Sequence, residues 1–405
     1  DLRERPPEGE PRWALAAELR DYQLAAVEAA WAAGRGVIDS PPRTGKTMMM
    51  VELVRRVSGP TVVTSPTVQI AKQTYERCLA LLGGDQRDFY LLTGGPPDTR
   101  KALLAAQRAL VFVGTADTAR AMSESWWEQI RCLIVDERHH QAAKGYHQLS
   151  DLAVNAFYRW GFTGTNFRSE AGEKLALEAV LGEAVAEFSI EDMRARKVLV
   201  PARVQLLVMD LDKRMGDRGK FGALYSRGIV RCSERNNLIA AAARDLVGAG
   251  RRVLILVERI EHGERLATMI PGSTFIQGAD GDRIRAVTAD LDAGQIRCVI
   301  GSPVVGEGLD IPAADALIYA KGLRARVTHT QDVFRVMTGG GGKKDALIVD
   351  FADRHQGKLL DHSVERMRTY VEMGCSVKVV DTVRGPSVEG GQLGFGPMEA
   401  HVIQD

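Results

Sequence analysis

The chain has 405 residues, of which 45% are hydrophobic and 26% charged, and its formal net charge is +1. This length suits two or three globular domains of ordinary composition, and so balanced a charge excludes a globally basic nucleic-acid coat while leaving room for a local basic cleft. No stretch is apolar and long enough to span a bilayer, and the five cysteines are too scattered for metal-ligand spacing, as expected of thiols in a reducing compartment.

Residues 1–13 are polar and Pro-rich and are expected to be disordered. They lack signal-peptide character, so a cytoplasmic location is expected, and the absence of an initiator Met fits a trimmed or partial chain. From Ala14 to about Val200, amphipathic helices alternate with short apolar runs at 36–38, 61–64, 109–113 and 132–135. That alternation predicts parallel βαβ units whose strands are buried on both faces. Pro201 reads as a hinge. A second alternating block, 201–383, carries predicted strands at 204–208, 252–257, 297–300, 316–319 and 346–349. The Gly-rich segment 384–405 reads as a flexible tail.

The first block contains Ser40-Pro-Pro-Arg-Thr44-Gly45-Lys46-Thr47 immediately after the apolar run 36–38. A loop between a buried strand and a helix gathers backbone N–H groups at the positive end of the helix dipole, which makes an anion site. Lys46 would reach the β- and γ-phosphates, and the Thr47 hydroxyl would sit on Mg²⁺. The usual pattern begins with Gly; here Ser40 stands there, so the loop must use a conformation open to L-residues. Further on, the run 132–135 ends in Asp136-Glu137. At a strand end, Asp136 can hold Mg²⁺ and Glu137 can orient and deprotonate the attacking water. His139, His140 and His147 lack a partner at ligand spacing and do not suggest a metal centre.

Other features are read as structural. Met48-Met-Met50 fits helix core, Trp126-Trp127 a helix anchor, and Asp350, Asp353 and His355 a strand-end cluster rather than a metal site. The basic, Gly-broken segment 210–235 is either a solvated loop or a phosphate-backbone contact surface.

These motifs and their order resemble superfamily 2 helicases of the D-E-x-H type, in the compact phage and bacterial form related to DNA-repair and restriction motors. The resemblance runs from about Arg20 to Asp353. It implies an α/β fold of two tandem RecA-like domains, each a mostly parallel sheet flanked by helices, with a nucleotide cleft between them. Arg20-Asp-Tyr-Gln23 resembles the adenine-reading element, with Arg20 and Gln23 joining Thr44, Gly45, Lys46 and Thr47 at the nucleotide. Thr64-Ser-Pro66-Thr67 with Gln73, and Val113-Gly114-Thr115, resemble segments that touch the nucleic-acid backbone, a role also implied for Ser302. Thr163-Gly-Thr165, together with His139, resembles the elements that couple nucleotide to strand. Gly306-Glu-Gly308-Leu-Asp310-Ile-Pro312 looks like the motif facing both, placing Gly308 and Asp310 at the nucleotide. Gln331-Asp-Val-Phe334-Arg335-Val-Met-Thr338 looks like the last motif, with Gln331 sensing the γ-phosphate and Arg335 as the arginine finger.

The resemblance therefore implies an ATP- and Mg²⁺-dependent DNA helicase or translocase, moving 3′→5′ on single-stranded or partly duplex DNA in a bacterial cell or phage-infected host, with RNA still open as a track. Two departures stand out in the last motif, Phe334 in place of Gly and Thr338 in place of a second Arg. Arg324, Arg326 and Lys343 are the candidate substitutes for the missing charge. The departures keep alive a nucleotide-gated nucleic-acid clamp with weak hydrolysis. A motor subunit of a restriction or defence assembly is the other alternative.

Overall fold

The computed structural model describes residues 5–6, 9–94, 106–136, 143–164, 178, 180–209, 219–277, 281–302, 311, 313–340 and 342–381. The tail 384–405 lies outside the described residues. The chain forms two compact units, Asp1–Ser189 and Ile190–Asp405. The division falls before Pro201 because the preceding residues are tied to the second unit: Leu199 bridges Thr338, and Val200 N–H donates to the Met337 carbonyl at 2.8 Å.

The first unit contains β1 (Arg35–Asp39), β2 (Thr61–Ser65), β3 (Phe89–Leu92), β4 (Val111–Thr115), β5 (Cys132–Val135), β6 (Tyr158–Thr163) and β7 (Ala184–Glu187). Their order in the sheet is β3-β4-β2-β5-β6-β1-β7, and every pairing is parallel. The central strands β2, β5 and β6 are buried at every position, as expected of strands covered by helices on both faces. Met49 and Met50 lie in the core on one side, with Val54, Trp160 and Phe162. Trp126 and Trp127 lie in the core on the other, with Phe112 and Leu133. Two residues of the opening segment are anchored: Trp13 packs on Phe89 with ring centroids 5.4 Å apart, and Asp88 accepts bonds from the Trp13 indole and from Arg12.

The second unit contains β8 (Ala202–Met209), β9 (Val253–Leu256), β10 (Ser273–Ile276), β11 (Cys298–Gly301), β12 (Ala316–Tyr319), β13 (Ala346–Asp353) and β14 (Ser376–Asp381). The order is β10-β11-β9-β12-β13-β8-β14, again all parallel. Taken in chain order within each unit, this is the same permutation as in the first sheet. The two blocks are thus a structural tandem of RecA-like sheets.

Buried ion pairs brace the second unit. Arg366 holds Asp350 through two bonds of 2.8 and 2.9 Å, and Tyr370 donates to the same carboxylate at 3.0 Å. Arg235, fully buried, pairs with Asp353 at 2.9 Å and lies over the Phe351 ring. Arg235 therefore belongs to the core and not to the basic surface the sequence suggested, whose residues 210–218 lie outside the described residues. His355 bonds the Gly228 carbonyl at 3.0 Å.

His329 is buried between Tyr319 and Tyr370, at centroid distances of 4.8 and 4.7 Å. Neither of its ring nitrogens has a hydrogen-bond partner among the described residues. Burial pushes its pKa from 6.5 down to about 4. The unfolded chain thus binds a proton below pH 6.5 that the folded chain refuses until about pH 4. The contribution is fully present above pH 6.5 and is lost as pH falls towards 4. His329→Phe, which keeps a ring between the two tyrosines, is expected to remove about 3 kcal/mol of that acid destabilisation. Denaturant unfolding at several pH values checks this, and identical pH slopes for the two proteins would sink it.

Candidate active site

In a parallel α/β sheet the C-terminal strand ends are where ligands bind. In the first unit the predicted site residues that lie among the described residues gather at that edge. The phosphate loop follows β1, Asp136 follows β5, Thr163 ends β6, Pro66 and Thr67 follow β2, and Gly114 and Thr115 end β4. The register Ser65↔Thr115, Thr64↔Val135 and Asp39↔Thr163 sets them side by side. The Asp136 N–H donates to the Thr64 carbonyl at 2.9 Å, and the Ser40 N–H to the Thr163 carbonyl at 3.1 Å. Glu137, His139, Thr165, Gly308 and Asp310 lie outside the described residues.

The loop is shaped by two left-handed residues, Arg43 (φ 69°) and Gly45 (φ 82°), and Gly45 caps the helix Lys46–Arg56. Ser40 is not among the positive-φ residues. Its hydroxyl shares a 2.5 Å hydrogen bond with Thr44 Oγ1, which also donates to the Pro41 carbonyl at 2.8 Å. The unusual serine thus fastens the two ends of the loop, in a backbone conformation open to L-residues. Lys46 is 9% exposed, and its ammonium donates to the carbonyls of Ser40 and Pro41 at 3.2 and 3.3 Å. Gly164, within the predicted coupling motif, leaves space for it: a Cβ there would stand 2.8 Å from Lys46 Nζ.

Helix Asp21–Ala33 reaches the same loop. Gln23 Nε2 donates to the Thr44 carbonyl at 3.0 Å and its Oε1 accepts the Arg20 N–H at 2.9 Å, so both ends of the amide are engaged by backbone. Arg20 is exposed at the N-terminus of that helix. Tyr22, which the sequence reading left without a role, donates its hydroxyl to the Thr44 carbonyl at 2.6 Å. Gly45 is doubly constrained, by its positive φ and by Gln23 Nε2 only 2.3 Å from where a Cβ would be. Gly45→Ala is therefore expected to cost about 1–3 kcal/mol of stability and to loosen nucleotide binding. Thermal melting with and without ATP checks it; an unchanged midpoint would mean that the loop adopts another conformation.

Thr67 and Thr115 cap the helices that follow β2 and β4, accepting the N–H groups of Ile70 and Thr118. Gln73 lies exposed on the helix Val68–Leu82. These residues occupy the half of the edge away from the phosphate loop.

In the second unit, Ser302 is buried after β11, its N–H donating to the Ile276 carbonyl at 3.2 Å. Gln331 and Arg335 lie on the helix Arg326–Met337. Asp332, between them, accepts Lys321 Nζ at 2.8 Å and Arg335 Nε at 3.3 Å. Burial raises the Glu258 pKa, against an opposing pull from Lys321. Phe334 belongs to the core at 1% exposure, and the Thr338 hydroxyl donates to the Phe334 carbonyl at 3.0 Å. Lys343 donates to the carbonyls of Ala314, Val336 and Thr338 at 2.7, 3.1 and 3.0 Å. It is a helix C-terminal clamp rather than a substitute finger. Arg326 pairs with Glu372.

The residues present fit ATP and Mg²⁺. A left-handed Gly opens a helix N-terminus, a buried lysine crosses the loop, and Thr47, in the helix after β1, and Asp136, after β5, lie along one edge of the sheet with β6 between those strands. One carboxylate and one hydroxyl are the sparse protein donor set that Mg²⁺ takes alongside phosphate oxygens and water. Among the described residues no group of three or more His, Cys, Asp or Glu is arranged for a metal ion, and no helix is long and apolar enough to cross a membrane.

A family profile described as Type III restriction enzyme, res subunit, matches residues 16–168. The chain is 24% identical over 378 residues to DNA 3'-5' translocase XPB2 of Sulfurisphaera tokodaii, covering 83% of this chain and 82% of that one. It is 21% identical over 391 residues to DNA 3'-5' helicase XPB of Mycobacterium tuberculosis, covering 92% and 67%. A relative from Halobacterium salinarum is 26% identical over 375 residues, and there the chain spans 60% of the relative's length. Among solved structures, the Type ISP restriction-modification enzyme LlaBIII bound to DNA superposes with a TM-score of 0.62 at 19% identity, over 90% of this chain and 31% of that one. These structural likenesses speak to the fold.

Proposed function

We infer that this member of the superfamily 2 helicases is an ATP-dependent DNA helicase or translocase. The observation that carries the reading is the single edge of the first sheet. There the phosphate loop after β1, Thr163 on β6, Asp136 after β5, Thr67 after β2 and Thr115 at the end of β4 follow one another strand by strand. A nucleotide at one end of that edge and a nucleic-acid backbone at the other would share neighbouring strands, so a change at the phosphates is felt by the strand grip.

The roles follow from chemistry. Lys46 and the N–H groups at the start of helix Lys46–Arg56 hold the β- and γ-phosphates. Thr47 and Asp136 would hold Mg²⁺, whose charge offsets that on the phosphates when bound. Glu137 orients and deprotonates the attacking water. Gln23 and Tyr22 brace the loop through Thr44, and Arg20 and Gln23 are assigned to adenine selection on that loop. Gln331 senses the γ-phosphate, and Arg335 meets its developing charge. Thr163, Thr165 and His139 relay that state. Pro66, Thr67, Gln73, Gly114, Thr115 and Ser302 contact the backbone of the DNA, with Gly308 and Asp310 at the nucleotide. The relatives named as 3'-5' motors support that polarity here.

Steady-state ATP turnover with single-stranded DNA, duplex DNA or single-stranded RNA tests the reading, with Lys46→Ala as the blank. Stimulation by DNA is the expected result. Turnover no higher than the blank with every polymer would overturn it in favour of a nucleotide-gated clamp.

A further inference from the structure

The last motif of this chain lacks the second arginine that its resemblance leads one to expect, and the structure places other charges around the first. Asp332, Lys321 and Arg335 form a buried trio, at 1%, 2% and 7% exposure. Each carboxylate oxygen of Asp332 takes one cation: Oδ2 accepts Lys321 Nζ at 2.8 Å, and Oδ1 accepts Arg335 Nε at 3.3 Å. Lys321 is itself fixed. It follows β12, and its carbonyl accepts the Tyr225 hydroxyl at 2.7 Å, while the carbonyl of Ala320 before it accepts Arg235 Nη1 at 3.0 Å. The carboxylate is therefore anchored to the sheet on one side and grips the arginine on the other. One anion between two cations also leaves the trio with a net positive charge, which suits the approach of a phosphate.

We propose that Asp332 is a positioning residue for Arg335, tying the guanidinium through Nε to a lysine anchored on β12 so that it is aimed before nucleotide arrives. This rests on the reading of Arg335 as the finger. A planar guanidinium held at Nε has its direction set, and pre-set direction is what electrostatic stabilisation of a transition state requires. In this chain the Lys321–Asp332 pair thus stiffens the finger in a motif where Thr338 supplies no charge.

The test measures DNA-stimulated kcat, the KM for ATP and the melting midpoint of five variants: Asp332→Asn, Lys321→Met, Lys321→Met/Asp332→Asn, Arg335→Ala and Arg335→Ala/Asp332→Asn. Asp332→Asn should lower kcat roughly 10- to 100-fold with little change in KM. That variant leaves Lys321 buried without its carboxylate and is the one at risk of misfolding. Removing both partners costs less than removing one, so the Lys321→Met/Asp332→Asn protein keeps the fold and isolates the effect on the arginine. It should melt near the wild type and still show the kcat loss, and Lys321→Met alone, which takes the carboxylate off its anchor after β12, should lower kcat by a smaller factor, roughly 3- to 10-fold. Adding Asp332→Asn to Arg335→Ala should cost nothing further, because the two act as one unit.

Wild-type kcat in Lys321→Met/Asp332→Asn, or losses that multiply in Arg335→Ala/Asp332→Asn, would overturn the proposal while leaving the finger in place. Wild-type kcat in Arg335→Ala would overturn the finger and the proposal together. Absence of DNA-stimulated turnover in the wild type would instead overturn the motor reading.

Discussion

Arg335→Ala is expected to lower DNA-stimulated ATP turnover by roughly 1000-fold or more, the scale on which an arginine finger acts. The change should be almost wholly in kcat. Arg335 lies on the helix Arg326–Met337, and its Asp332 partner keeps Lys321 at 2.8 Å when the guanidinium is removed. The carboxylate is therefore not left unpaired, and the melting midpoint should move little. Arg335→Lys should also fail, because a point charge on a flexible stem does not reproduce a planar fork held at Nε. Equal losses of stability and turnover would show that Arg335 is a structural ion-pair member. Of the three candidate substitutes for the missing arginine, Lys343 is engaged on three carbonyls and Arg326 on Glu372, while Arg324 is exposed just before the helix Arg326–Met337.

Lys46→Ala is expected to reduce turnover by roughly 100- to 1000-fold, the effect of deleting one pre-aimed donor from a charged transition state. Unlike Arg335, it should also weaken ATP binding. The ammonium already crosses the loop to Ser40 and Pro41, beside Gly164 and 9% exposed, so its charge is concentrated where the proposed reading puts the phosphate oxygens. Nucleotide titration of the variant, alongside turnover, separates the two residues: affinity and kcat both fall for Lys46, kcat alone for Arg335. Wild-type turnover in Lys46→Ala would place the phosphates somewhere other than this loop.

Much of the fold could be read locally. The fully buried strands β5, β9, β11 and β12 are short apolar runs, and burial on both faces leaves no charged or amide residue to blur the signal. The edge strands were harder. β7, β10 and β14 mix polar and apolar residues because one side of an edge strand is less covered, and their burial is correspondingly partial. Two parallel sheets and a phosphate loop needed only local pattern; the shared strand order needed the pairings themselves.

The sequence by itself determined where the first unit carries its candidate site: Gly45-Lys46-Thr47 at a strand-to-helix turn and Asp136 at a strand end are local arrangements, and the structure keeps both. Only the tertiary structure decided which polar residues are scaffolding. Arg235 looked like part of a basic run until Asp353, 118 positions away, was found against it. Tyr22 carried no assigned role in the sequence, and Gln23 was read only as meeting a base; the structure shows both bonded to the Thr44 carbonyl. Lys343 was a candidate finger until it closed a helix end, and Asp332 was an unremarked neighbour until Lys321 and Arg335 met on it. The physical reason is the same in each case. A charge or amide is defined by the partner that satisfies it on burial, and that partner is chosen by the packing of elements distant in the chain.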